Sequence, residues 1–185
     1  SNVIDFITIA STGNATDFGD LTQARGSLDC GFGNSTRGLF AGGYAPGDVN
    51  TIDFITIAST GNATDFGDTT FALSQAGGCA SPTRGVIGGG IGASPRAHSN
   101  IIQFVTILST GNAADFGDLT SQRDYLAGGN SSTRGIFAGG LSPANHNTIE
   151  YITIASTGDA VDFGDITLQA RQIDDTCESP TRCVL

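Results

Sequence analysis

The chain repeats itself four times, and this constrains its fold more than any other property. The segment Ile4-Asp-Phe-Ile-Thr-Ile-Ala-Ser-Thr-Gly-Asn-Ala-Thr-Asp-Phe-Gly-Asp20 returns unchanged from Ile52 to Asp68. It returns with a few substitutions from Ile102 to Asp118 and from Ile149 to Asp165. A second motif alternates with it: Ser35-Thr-Arg-Gly-Leu-Phe-Ala-Gly-Gly43, Ser81-Pro-Thr-Arg-Gly-Val-Ile-Gly-Gly-Gly90 and Ser132-Thr-Arg-Gly-Ile-Phe-Ala-Gly-Gly140. A fourth copy, Ser179-Pro-Thr-Arg-Cys-Val-Leu185, lacks the glycine pair. The units fall at about 1–48, 49–98, 99–146 and 147–185, in one repeat domain. Units of this size bury their apolar faces against one another.

Each unit offers four short strand signals. Ile4–Ile9 is rich in Ile, Phe and Thr, and alternates too poorly to leave one face wet. Ser11-Thr-Gly-Asn is turn chemistry. Thr16–Thr22 is a second strand, a third lies near Gly26–Cys30, and Arg37–Gly43 is the fourth. Four strands in about 45 residues is the pattern of a β-propeller blade. Helical repeats lack the roughly ten-residue helical faces they need, and composition nearly excludes an all-helical protein. The chain has no Lys and no Met, sixteen of its eighteen acids are Asp, and Gly takes 27 of 185 positions. The expectation is an all-β, four-bladed propeller. The chain opens with one hairpin type and ends with the other, so closure would pair the first strand, near Val3–Ile9, with the last, near Thr181–Leu185. The rival is that four units belong to a larger or an oligomeric ring.

The order of diglycine, variable loop, apolar strand, turn and aromatic resembles the kelch repeat. The diglycines are Gly42-Gly43, Gly89-Gly90 and Gly139-Gly140. The aromatics are Phe18, Phe66, Phe116 and Phe163, where kelch units usually carry Trp. The chain is also similar to short kelch-like arrays in predicted virion and tail-fibre proteins of marine cyanophages, which use phrases like Thr51–Asp68. That second resemblance, and not composition, implies a phage.

Several function classes are excluded or disfavoured. The formal net charge of −10 opposes nucleic-acid and anionic-membrane binding. Without Lys there is no P-loop and no Schiff-base chemistry. Asp-Phe-Gly recurs at Asp17, Asp65, Asp115 and Asp162, but the Lys and His-Arg-Asp partners of a kinase are missing. Asp17 and Asp20 offer too few oxygens for Ca²⁺. They are expected to hold turn amides and to meet the repeat arginines Arg37, Arg84, Arg134 and Arg182, as salt bridges or an arginine–backbone network. No cofactor or metal is expected. Cys30, Cys79 and Cys177 occupy matching places and read as buried small apolar residues. A disulfide between Cys177 and Cys183 is conceivable if their Cα atoms come close. No apolar run reaches the roughly 20 residues of a membrane span, and no signal peptide is visible. The Ser-Asn start and the lack of Met read as part of a longer or processed chain.

Function in such a chain is expected where the repeats disagree. The loops after the diglycines, Tyr44–Thr51, Ile91–Ile101 and Leu141–Thr148, differ most. They carry Tyr44, Arg96, His98, Asn145 and His146, a polar and partly aromatic set suited to sugar or protein contact. The phage resemblance implies a non-enzymatic virion module, structural or receptor-binding, on a tail fibre or capsid appendage. Its partners would be virion proteins or a host-surface glycan or protein, with homo-oligomers possible. The alternative is a bacterial carbohydrate- or protein-binding propeller on the extracellular surface.

Overall fold

The computed structural model describes residues 1–28, 30–92, 97–170, 173, 176–179 and 181–185. Among them the chain forms antiparallel sheets and no helix. The first hairpin is β1 (Val3–Phe6) with β2 (Thr16–Asp20). β3 (Gly31–Gly33), β4 (Arg37–Ala41), β5 (Val49–Thr56) and β6 (Thr64–Ser74) make the first full sheet in that order. β7 (Gly77–Ala80) and β8 (Arg84–Gly88) follow. The short strands β9 (Ile91–Gly92) and β10 (Ala97–His98) return to pair on β6 and widen the first sheet to six strands. β11 (Ile101–Thr106) and β12 (Ala114–Asp118) complete the second sheet, in the order β7-β8-β11-β12. β13 (Ala127–Asn130), β14 (Arg134–Ala138), β15 (His146–Thr153) and β16 (Val161–Ala170) make the third. β17 (Cys177–Ser179) and β18 (Arg182–Val184) form a last hairpin.

Each full sheet is shared between two sequence units. The Thr-Arg hairpin of one unit pairs with the Ile-Asp-Phe hairpin of the next, in one register. Arg37 lies opposite Thr56, Arg84 opposite Thr106 and Arg134 opposite Thr153. The same units also meet through the turn after each β5-type strand. Ile57, Ile107 and Ile154 donate their N–H groups to the carbonyls of Thr36, Thr83 and Thr133.

Sheets stack through two apolar clusters. Leu39, Ile52, Phe66 and Leu73 of the first sheet meet Ile87, Val105 and Ile107 of the second. Val86, Ile102, Phe116 and Leu119 of the second meet Leu126, Phe137, Ile152 and Ile154. Equivalent positions recur at both junctions, which explains why strands of this chain alternate so poorly: both faces of an interior sheet are covered.

The Phe-Gly-Asp glycines make the stacking possible. A bulge in the β5–β6 register between Ile52 and Asp53 holds Gly67 at φ +141 against the next unit's turn. There Gly111 donates its N–H to the Phe66 carbonyl, Ala113 donates to the Asp68 carbonyl, and the Asn112 side chain accepts from the Asp68 N–H. Gly61, Ala63 and Asn62 repeat these three bonds on Phe18 and Asp20. A Cβ on Gly67 would stand 2.6 Å from the Gly111 carbonyl, against backbone that cannot yield. Gly67→Ala is therefore expected to destabilise by about 2–4 kcal/mol through overpacking and strain. Denaturant melts of the variant check this, and a loss within about 0.5 kcal/mol would mean the turn is not seated there.

Two expectations need correction. β1 does not pair with β18: β1 pairs with β2, and β18 pairs with β17, in separate two-stranded sheets. The first hairpin is seated on the β3–β6 sheet by Gly61, while β17 follows Thr176, which donates to Gly128 on β13. The half-sheets therefore cap opposite ends of a row of three full sheets. Counting hairpins gives the pairing rule but not the curvature that would bring the ends together. The third strand of the first unit is Gly31–Gly33, not Gly26–Cys30, because Gly26 bridges to Tyr44 instead.

Candidate functional site

The diglycines project the variable loops. Gly42 and Gly43 sit at φ +66 and +110, and Gly89 and Gly90 at +66 and +97. These are left-handed values that a side chain would resist. The chain leaves each sheet there and folds back on the connector that precedes the third strand of its own unit. Tyr44 bridges Gly26, Ile91 pairs with Ser74, and Leu141 bridges Asp124.

Side chains then join these loops into one row. Ser74 donates to Asp48 of the first loop at 2.7 Å, and its backbone pairs with Ile91 of the second. His98 of the second loop lies 3.2 Å from the Asp124 carboxylate, and Asp124 bridges Leu141 of the third. Beside Ser74 and Asp124, the Tyr125 hydroxyl accepts at 2.7 Å from the Gln75 side chain. Tyr44 is 47% exposed and Asn145 is exposed, so both are presented outward. His98 is half-buried by its acidic neighbour, and His146 is held by its ring nitrogen on the Ser142 carbonyl at 3.0 Å. Arg96 lies outside the described residues.

The repeat arginines work differently from the expected aspartate bridges. Arg37, Arg84 and Arg134 lie over the rings of Phe54, Phe104 and Tyr151 at 4.5, 4.5 and 4.3 Å. Arg37 and Arg84 reach on to the carbonyls of Ile107 and Ile154 in the next sheet. The arginine–backbone half of the expectation describes them, and the aspartates take no part among the described ion pairs. Arg182 is exposed. Phe18, Phe66 and Phe116 are buried, but Phe163 is 54% exposed, because among the described residues no hairpin covers β16 as Gly111 and its neighbours cover β6.

The buried ion pairs lie elsewhere. Asp53 and Glu150 are fully buried and each meets an arginine of the preceding unit, Arg25 at 2.9 Å for Asp53 and Arg123 for Glu150. A threonine three positions before each arginine adds its N–H and hydroxyl: Thr22 to Asp53 and Thr120 to Glu150. In the second unit the arginine position is Leu73, and the facing acid is the neutral Gln103, which still accepts from Thr70. Charge is removed from both partners together. Burial lowers the Arg123 pKa from its ordinary value, opposed by the Glu150 charge and hydrogen bond. The sequence signal was the joint change at positions 73 and 103 against 25/53 and 123/150.

Cys30 and Cys79 are buried as expected, whereas Cys177 is exposed. No disulfide joins Cys177 to Cys183. Cys177 lies opposite Val184 and Cys183 opposite position 178, so the two thiols point to opposite faces of the hairpin. Three asparagines serve structure: Asn62 as above, Asn34 by capping Thr36 and Arg37, and Asn130 by accepting from Ala80. Among the described residues no group of three His, Cys, Asp or Glu side chains is assembled.

No protein-family model matches the chain. No curated protein matches it either.

Proposed function

We propose that each shared sheet is a blade of a kelch-like β-propeller, and that the array is a non-enzymatic binding module of a phage virion, on a tail fibre or capsid appendage. The blade reading rests on three four-strand meanders in sequence order, each with a diglycine after its second strand and its first strand packed on the next: β3 on β7, β7 on β13. The observation that carries the binding role is the row of loops. Invariant repeat positions are spent on stacking, while the positions that disagree between units lie side by side and are tied together by Ser74 and Asp124. A surface of that kind can change its chemistry without disturbing the junctions.

The loops contribute Tyr44, Arg96, His98, Asn145 and His146, a mixture that suits a host-surface glycan or protein. The net charge of −10 favours a neutral or locally cationic ligand over a polyanion. A bacterial carbohydrate-binding propeller would use the same row, and the resemblance to cyanophage arrays favours the virion. Binding of the labelled chain to a glycan array and to intact cyanobacterial cells tests the role. Combined Ala substitution of Tyr44, Arg96 and Asn145 is expected to weaken binding at least tenfold with Tm nearly unchanged. Binding that survives this change, but is lost on altering the Ser11–Asn14 turn and its repeats, would place recognition on the other surface.

A further inference from the structure

Leu73 and Gln103 fill without charge the place that Arg123 and Glu150 fill with it. A buried ion pair often contributes no more stability than matched neutral groups. Stability alone therefore does not explain why the third unit keeps the charge. We propose that Arg123 is a positioning residue for the third variable loop: its guanidinium grips the neck of Leu141–Thr148, and Glu150 holds the guanidinium in place. On the reading of the loops as the binding surface, on which this role rests, the grip fixes how Asn145 and His146 are presented.

The neck lies where Gly139, just after β14, faces Thr148 of β15. Gly139, at φ +65, donates its N–H to the Thr148 carbonyl and closes the loop. Arg123 Nη1 donates to both carbonyls at this point, Gly139 at 3.1 Å and Thr148 at 3.2 Å. Its Nη2 meets Glu150, two residues beyond Thr148. The guanidinium thus bridges the outgoing and returning chain with a planar fork of donors, which Leu cannot imitate. Beyond the neck the loop is tied to itself. The His146 N–H donates to the Gly140 carbonyl, the Ser142 N–H donates to the Ala144 carbonyl, and the His146 ring holds the Ser142 carbonyl. A loop braced in this way moves as one piece about its neck, so a grip on the neck sets the aim of the side chains beyond it.

The other two necks are held differently. All three are closed by one backbone bond: Gly42 to Thr51, Gly89 to Ile101 and Gly139 to Thr148. In the first loop, Arg25 keeps its buried acid and reaches the Phe40 carbonyl at 3.2 Å, with its stem against Gly43. In the second loop the arginine position is Leu73, and backbone pairing takes over. Leu73 pairs with Gly92 and Ser74 with Ile91. The first and third loops have one bridge each at this place, Gly26 to Tyr44 and Asp124 to Leu141. Among the described residues, the buried charge is present where backbone pairing of the loop is sparse and absent where it is extended.

Amide hydrogen exchange on the full chain, without ligand, tests the clamp through two variants. In Arg123→Leu/Glu150→Gln the neck loses its guanidinium. The Gly139 and His146 amides are expected to exchange about tenfold faster or more, with those of Gly42 and Gly89 unchanged. The Ile107 amide, followed alongside, reports global unfolding, so only loosening beyond its own change counts. Glu150→Gln alone keeps the guanidinium and its carbonyl bonds. Its urea midpoint is expected to fall, yet Gly139 and His146 should stay within about threefold of the parent. Neck exchange and global stability then move independently, which a purely structural ion pair would not produce. Unchanged exchange at Gly139 and His146 in the double variant, or acceleration in Glu150→Gln as large as in the double variant, would overturn the proposal. Because these rates are read without ligand, a loop row that binds nothing would leave the clamp standing, and a failed clamp would leave the binding surface standing.

Discussion

An Arg123→Leu variant is expected to lose about 3–5 kcal/mol of stability, because it leaves the Glu150 carboxylate buried without its cation. Both side chains are wholly buried, and among the described residues Glu150 keeps only the Thr120 donors once the guanidinium is gone. Adding Glu150→Gln should recover most of that loss. The double variant rebuilds the chemistry that the protein already uses at Leu73 and Gln103, where the neutral amide accepts from Thr70 with no charge to compensate. Replacing a buried pair by matched neutral groups is often close to neutral, so the double variant should lie within about 1 kcal/mol of the parent. A double-mutant cycle by urea denaturation measures this. Additive losses in the double variant would mean that the two positions are not energetically coupled.

Phe66→Ala is expected to cost about 3–5 kcal/mol, as for a large core truncation. Its ring is 2% exposed, packs edge-on against Phe54 at 5.9 Å, and sits in the cluster between the first and second sheets. The same change at Phe163 should cost less than about 1 kcal/mol. Phe163 keeps a similar edge contact with Tyr151 at 6.1 Å but is 54% exposed. The pair isolates the value of the covering unit, since the two rings occupy one place in the repeat. Equal losses would mean that stacking of sheets contributes little beyond the local hairpin.

The strands were legible in the sequence because each is written several times. A β-branched run recurring at a fixed phase is hard to mistake, and β1, β2 and β4 fall inside the expected segments. The short third strand was not legible. It is Gly-rich, as in Gly31-Phe-Gly33, and it is defined by the backbone of its neighbours: a Cβ on Gly128 would stand 2.1 Å from the Gly78 carbonyl. The loops were legible as the segments where the units disagree. Their linkage through Asp48–Ser74 and His98–Asp124 was not, because those contacts join residues more than twenty positions apart with no pattern between them. The arginines of the Thr-Arg motif were visible as a set, but their partners are rings and carbonyls, which carry no charge to match. The buried pairs were hidden for the opposite reason. Asp53 and Glu150 lie in apolar strands where a lone acid looks like a solvent-facing residue, and only the neutral Gln103 beside Leu73 marks the site as shared.

The central claim is that every full sheet belongs to two sequence units. Amide hydrogen exchange at Ile57, Ile107 and Ile154 tests it most directly. These three N–H groups cross from one unit to the carbonyl of Thr36, Thr83 or Thr133 in the unit before. If the sheets are shared, Ile107 and Ile154 should exchange only through global unfolding, with the slowest amides in the chain, and Ile57 should lie close behind them. Exchange of all three at the rates of an open loop, with the hairpins on either side still protected, would show units that fold separately and would contradict the account.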